Sequence, residues 1–203
     1  MKKPLLAVFA TAAISSLASV AHAEDSPLSF NASLTSDYRY RGISQSRLKP
    51  ALQGGVDYAL PAGFYIGAWA STIKWIKDAG TIASTDVGNA NVEIDLYGGY
   101  KGEISKDLSY DVGILQYVYP GNKYKNLSTE NANTTELYGA LTFGPATLKY
   151  SHSLTSLFGS ASASTNSKGS GYLDLSANFE VGGGVTLTPH VGHQRVAGFS
   201  DLS

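Results

Sequence analysis

The chain of 203 residues contains no cysteine, so neither a disulfide framework nor a thiolate metal site is open to it. After residue 23 it has no apolar run of about 18 residues, which excludes a membrane-spanning helix there. Charge is scarce: charged residues make up 15% of the chain, and beyond residue 23 there are 13 basic against 16 acidic side chains. A weakly acidic surface of this kind offers no electrostatic footprint for nucleic acid. What the chain does have is glycine, at 22 residues, and tyrosine, at 13. With so few helix signals, that composition points to a β protein whose aromatic residues have a surface role.

The amino terminus reads as an export signal. Two lysines, an apolar run and Ala21-His22-Ala23 precede Glu24-Asp25, which is the pattern of a signal peptide spanning 1–23 and cut after Ala23. Residues 24–203 are then expected to form one domain in the outer membrane of a Gram-negative bacterium.

Residues 28–42 carry the clearest pattern. Leu28, Phe30, Ala32, Leu34, Tyr38 and Tyr40 share one parity, broken only by Ser36, while Ser29, Asn31, Ser33, Thr35, Asp37, Arg39 and Arg41 share the other. That is a strand with an apolar and a polar face. At roughly 3.3 Å per residue it would run about 43 Å, long enough to cross a bilayer at a tilt near 45°. Eight further alternating segments follow, over 52–60, 64–73, 92–101, 108–119, 136–143, 146–154, 173–181 and 185–194. In 64–73 either face qualifies as the outer one. Short turns at Pro61-Ala62-Gly63, 103–107, Gly144-Pro145 and Gly182-Gly183-Gly184 alternate with longer polar links at 74–91, 122–133 and 155–171, apart from a short first link at 43–49.

Alternating turn lengths and one-sided apolar strands describe an all-β, antiparallel transmembrane β-barrel. A soluble lipocalin-like barrel would put the apolar parity inside; strand length and the charge on nearly every polar face favour the membrane form. Nine strands are visible, and about ten to twelve are expected in a complete barrel, since bacterial outer-membrane barrels have even strand numbers. The carboxyl terminus therefore reads as truncated, leaving the first strand without the last one it should pair with.

With Leu28, Phe30, Leu34, Tyr38 and Tyr40 facing lipid, the opposite parity lines the lumen. The candidate pore-lining residues are Asp37, Arg39, Arg41, Asp57, Glu93, Asp95, Lys101, Asp111, Glu136, Lys149, Asp174 and Glu180. Acidic groups outnumber basic ones two to one, which favours cations or neutral polar solutes. Arg39 and Arg41 are expected to oppose Asp57 across a constriction. Two readings stay open beside a pore. A barrel of about eight strands is just wide enough to be filled by side chains, so the charges would satisfy one another in a closed structural or adhesive barrel; and the link 74–91, with Trp75 and Ile76, would fold inward only in the less favoured case, an ordinary surface loop being the expectation.

Enzymatic readings are weaker. A hydrolase would need His152 and Ser153, or His190 and His193 with nearby serine or aspartate, yet His190 and His193 have opposite parities and cannot share a metal without a bulge. Gly98-Gly99 and Gly182-Gly183-Gly184 open no helix, so no phosphate cradle is expected. No cofactor, catalytic or metal-binding set is assigned.

Several segments carry a family resemblance: Thr35-Ser-Asp-Tyr-Arg-Tyr-Arg-Gly-Ile-Ser-Gln-Ser46, Pro50-Ala-Leu-Gln-Gly54, Gly63-Phe-Tyr-Ile-Gly-Ala-Trp-Ala-Ser71, Glu93-Ile-Asp-Leu-Tyr-Gly-Gly-Tyr100, Tyr110-Asp-Val-Gly113, Tyr119-Pro-Gly121 and Thr135-Glu-Leu-Tyr138. In this order, over nearly all of 24–203, the chain resembles the TorF-like porins, also known as Gly-x-Trp motif conserved hypothetical proteins. The resemblance implies an outer-membrane barrel that passes small polar solutes, contacts outer-membrane lipids and is inserted by the barrel assembly machinery.

Overall fold

A computed structural model describes residues 26–199; the expected signal peptide lies outside them. In chain order the strands among the described residues are β1 (Leu28–Thr35), β2 (Arg39–Tyr40), β3 (Ile43–Ser44), β4 (Ala51–Ala59), β5 (Phe64–Thr72), β6 (Val92–Glu103), β7 (Leu108–Val118), β8 (Thr134–Phe143), β9 (Ala146–Ser153), β10 (Gly171–Ala177), β11 (Phe179–Gly182), β12 (Val185–Leu187) and β13 (His190–Arg195), with one α-helix, α1 (Trp75–Ala83), and three short 3-10 turns at Pro61–Gly63, Tyr124–Asn126 and Leu157–Gly159. Nine strands form one antiparallel sheet in the order β1-β4-β5-β6-β7-β8-β9-β10-β13. Every neighbour is the next long strand of the chain, because short turns and returning loops join antiparallel strands without a crossover. Among the described residues β1 and β13 do not pair. The expected closed barrel is therefore observed as an open, strongly curled sheet.

The two faces have opposite chemistry. On one, Phe30 of β1 pairs with Val56, Val56 with Ala68 and Ala68 with Leu96, while Leu141, Leu148 and Leu175 form a second cross-strand row. Large apolar side chains stay exposed over this whole face, including Phe30 at 73%, Leu34 at 69%, Phe143 at 66% and Val191 at 67%. The other face carries polar and aromatic residues and is largely covered. In β5, where the sequence leaves both faces open, Phe64 and Ile66 are exposed while Tyr65 and Ser71 are buried, which places Tyr65, Trp69 and Ser71 on the covered, concave side.

Glycine and tyrosine are matched across the strands. Tyr65 pairs with Gly99, Tyr97 with Gly67, Tyr138 with Gly113 and Tyr110 with Gly102. A β-carbon at any of these four glycines would collide with the opposing ring, so each tyrosine lies down across its neighbour instead of standing off the sheet. Cross-strand contacts of this kind are the unit of sheet stability.

The largest departure from expectation is in 36–49. The first strand ends at Thr35, at the parity break of Ser36, and the chain turns inward. Arg41 and Gly42 both have positive φ, 48° and 82°, and connect β2 to β3, as a two-residue hairpin of the I′ kind requires. Tyr38 is 1% exposed and Tyr40 is half-buried, so both sit on the concave side and not on the apolar face that their parity predicts. The link 74–91 also folds inward: it contains α1, and Ile76, Val87 and Ala90 are buried against Tyr38, Ile73, Tyr117, Tyr119 and Ala132. Trp75, Tyr124 and Phe158 pack around them edge to face. The long links thus form an apolar lid over one end of the curled sheet, where surface loops were expected.

Candidate functional site

The concave face divides into two tiers. The first lies near the short turns, where flat tyrosines present hydroxyls to carboxylates. Tyr97 donates to Asp57 at 2.6 Å, and Tyr65 donates to Asp111 at 2.5 Å while meeting the Tyr138 hydroxyl. Lys101 lies 3.8 Å from Asp111, with its ammonium 4.4 Å from the Tyr65 ring centre; the ammonium of Lys149 lies 4.4 Å from that of Tyr138. Asp57, Lys101 and Asp111 remain half-buried.

The second tier lies beneath the lid and is sealed. Glu93 accepts hydrogen bonds from Tyr38 at 2.5 Å and Tyr119 at 2.7 Å. The Arg41 guanidinium donates to both Glu136 oxygens at 2.8 Å and to Gln194 of β13 at 2.7 Å. It is flanked by the rings of Tyr40 and Tyr172, 4.7 and 4.5 Å from their centres. A forked donor of this geometry matches a carboxylate better than an ammonium does. Glu93 and Glu136 are each 2% exposed. Tyr40 and Tyr117 share a hydroxyl–hydroxyl bond of 2.9 Å. Through Arg41 the inward segment touches β8, β10 and β13, and this clasp reaches from the continuation of one edge strand to the other edge strand.

Of the sequence candidates, Asp57, Glu93, Asp95, Lys101, Asp111, Glu136, Lys149 and Asp174 stand on the concave face of the wall strands; Arg41 reaches it from the hairpin. Arg39 and Arg41 do not oppose Asp57. Arg39 turns outward, with its guanidinium 2.7 Å from Asp37, because the bend at Ser36 reverses the parity beyond it. Asp37 caps the same turn by accepting from Ser44 at 2.5 Å and Ser46 at 3.2 Å; the Ser44 hydroxyl, with smaller help from Arg39, holds its carboxyl below the usual range. Glu180 lies on the β11–β12 hairpin, exposed on both sides and bonded to Thr186 at 3.0 Å.

The sequence reading missed Tyr38, Tyr40, Tyr117, Tyr119, Tyr172 and Gln194 as site residues. The one signal pointing to the first two was the break at Ser36 followed by Arg41-Gly42. Among the described residues no histidine is hydrogen-bonded to a serine hydroxyl. His152 lies beside Tyr150 on the apolar side, the Ser153 hydroxyl donates to the backbone of Thr155, and His190 lies 3.1 Å from Asp174. Among the described residues no group of three or more histidine, aspartate or glutamate side chains is arranged to hold a metal ion.

No curated protein and no solved structure matches the chain. Residues 21–201 match the profile of a family described as bacterial protein of unknown function, Gcw_chp, and the chain belongs to that family.

Proposed function

We propose that the chain is the wall of an outer-membrane β-barrel that acts as a narrow porin, with lipid against the convex face and small polar solutes diffusing along the charged concave face. The exposed apolar side chains that run across the whole sheet carry this reading: a patch of this extent is far larger than a soluble monomer leaves to water. The reading requires the β1 and β13 edges to be satisfied, since lipid offers no hydrogen bonds to an open edge. The constriction is the clasp of Arg41, Glu136 and Gln194, with solute entering from the tier of Asp57, Lys101 and Asp111.

Planar-bilayer recording of the purified full chain tests the reading. Discrete conductance steps are expected, with reversal potentials leaning toward cations. Steps favouring chloride would overturn only the selectivity; their absence would overturn the porin. A second reading, a closed structural barrel, is supported by the near-complete burial of Tyr38, Glu93, Tyr119 and Glu136 across the lid end. Arg41→Ala separates the two readings: a porin should open more often or more widely, whereas a closed barrel should stay silent.

A further inference from the structure

Buried charge beneath the lid does not balance locally. Glu136 is neutralised by Arg41, but Glu93 is held only by the neutral hydroxyls of Tyr38 and Tyr119. Asp95 is 8% exposed, and its Oδ1 is buried without any hydrogen-bond partner. Lys149 acts on Asp95 electrostatically, but among the described residues it forms no ion pair with it. A buried carboxylate oxygen left without a donor is costly, and Glu93, two residues along β6, puts a further carboxylate on the same face. What Asp95 Oδ1 lacks is a hydrogen-bond donor, which Lys149 does not supply.

The surroundings of Asp95 narrow the class. In register it is directly opposite Trp69 on β5 and Tyr117 on β7, and both share its face. A metal ion of the calcium or magnesium class needs about six oxygen ligands, and among the described residues none are gathered to hold one at Asp95. An ammonium-type cation needs one carboxylate, and aromatic neighbours add attraction for it. We propose that the concave face at Asp95, between Trp69 and Tyr117 in register, binds a small organic ammonium, with Asp95 as the anionic ligand. Site and solute would then meet on the concave face, so the inference rests on the porin reading for access.

Methylammonium chloride is the probe, titrated at constant ionic strength against the full chain in detergent. The chain's only tryptophans are Trp69 and Trp75, and Trp69 adjoins the site, so intrinsic fluorescence reports binding. A saturable change is expected, absent with sodium chloride, and weakened at least about tenfold by the isosteric Asp95→Asn, as loss of a charge-assisted hydrogen bond implies. Glu180→Gln, on the exposed β11–β12 hairpin, should leave it unchanged. A flat titration of the unaltered chain would overturn the proposal whatever the variants do, and an unchanged affinity in Asp95→Asn would mean that Asp95 is not the ligand. Saturable binding without conductance would end the porin reading and leave the site; conductance without saturable binding would do the reverse.

Discussion

At the lid end of the sheet Glu93 and Glu136 are enclosed by tyrosine hydroxyls, a guanidinium and an apolar cover; at the turn end Asp57 and Asp111 take hydrogen bonds from tyrosines lying against the wall and remain half-buried. The strands are the same, and the alternation along them is the same. The difference comes from chain that is not strand, the hairpin at 36–49 and the links at 74–91, 122–133 and 155–171. Burial makes the difference energetic: an ion pair out of water depends on both partners, whereas a half-exposed pair can exchange one partner for water.

The largest effect expected is at the clasp. Arg41→Ala leaves Glu136 buried and unpaired and should cost about 3 to 5 kcal/mol, read by reversible denaturant unfolding of the folded chain in lipid or detergent. Lys101→Ala, its counterpart at the turn end, should cost below about 1 kcal/mol. Equal losses would break the distinction between the tiers. The two faces can be tested in the same way: Leu96→Arg, at the middle of β6 and 49% exposed, should cost about 2 to 4 kcal/mol in a bilayer if that face meets mid-membrane lipid. Little or no cost there would argue that water, and not lipid, covers the convex face.

A smaller step compares two tyrosine–carboxylate bonds. Tyr119→Phe removes one of two donors from buried Glu93 and should cost about 1.5 to 3 kcal/mol; Tyr97→Phe should cost less, since water can reach the half-buried Asp57. The same unfolding measurement ranks them, and the reverse order would place the seal at the wrong end. The smallest effect lies on the lid's outer rim. Asp86 accepts from Lys123 at 2.9 Å and from the Gly88 amide, and the Lys123 ammonium chiefly holds its carboxyl below the ordinary value of 3.8. A carboxyl lowered in the folded state stabilises fully above its unfolded value, and that contribution is lost as pH falls through the folded one. Hydrogen exchange in the lid should therefore be insensitive to this pair at neutral pH and should loosen only below the usual carboxylate range; a change between pH 6 and 8 would assign the effect to another group.

The nine wall strands and most of their faces were legible in the sequence because a period of two is a local property: Val92 to Tyr100 announces its two sides without reference to the rest of the chain. The turn positions were legible for the same reason, since Pro61-Ala62-Gly63 and Gly144-Pro145 act locally. The lid was not. Trp75 and Ile76 lie among polar residues, and their burial depends on Tyr119, Tyr124 and Phe158, which arrive from two other links. Arg41 was recognised as a charged group of the polar face, but its partner was misassigned, because Glu136 and Gln194 lie 95 and 153 residues away and only the curl of the whole sheet brings them together.

Tyrosine laid across glycine also ties two positions into one unit of inheritance. Gly99 has no room for any side chain while Tyr65 covers it, and Tyr65 lies flat only because Gly99 is bare. Gly99 cannot gain a side chain while Tyr65 stays. A lineage that gives position 67 a side chain must first accept a smaller residue at 97; at 99 and 113 the carbonyl oxygens of Val112 and Gly98, 2.6 Å from where a β-carbon would sit, stand in the way as well. The wall would thus evolve in pairs of positions, each pair straddling two strands.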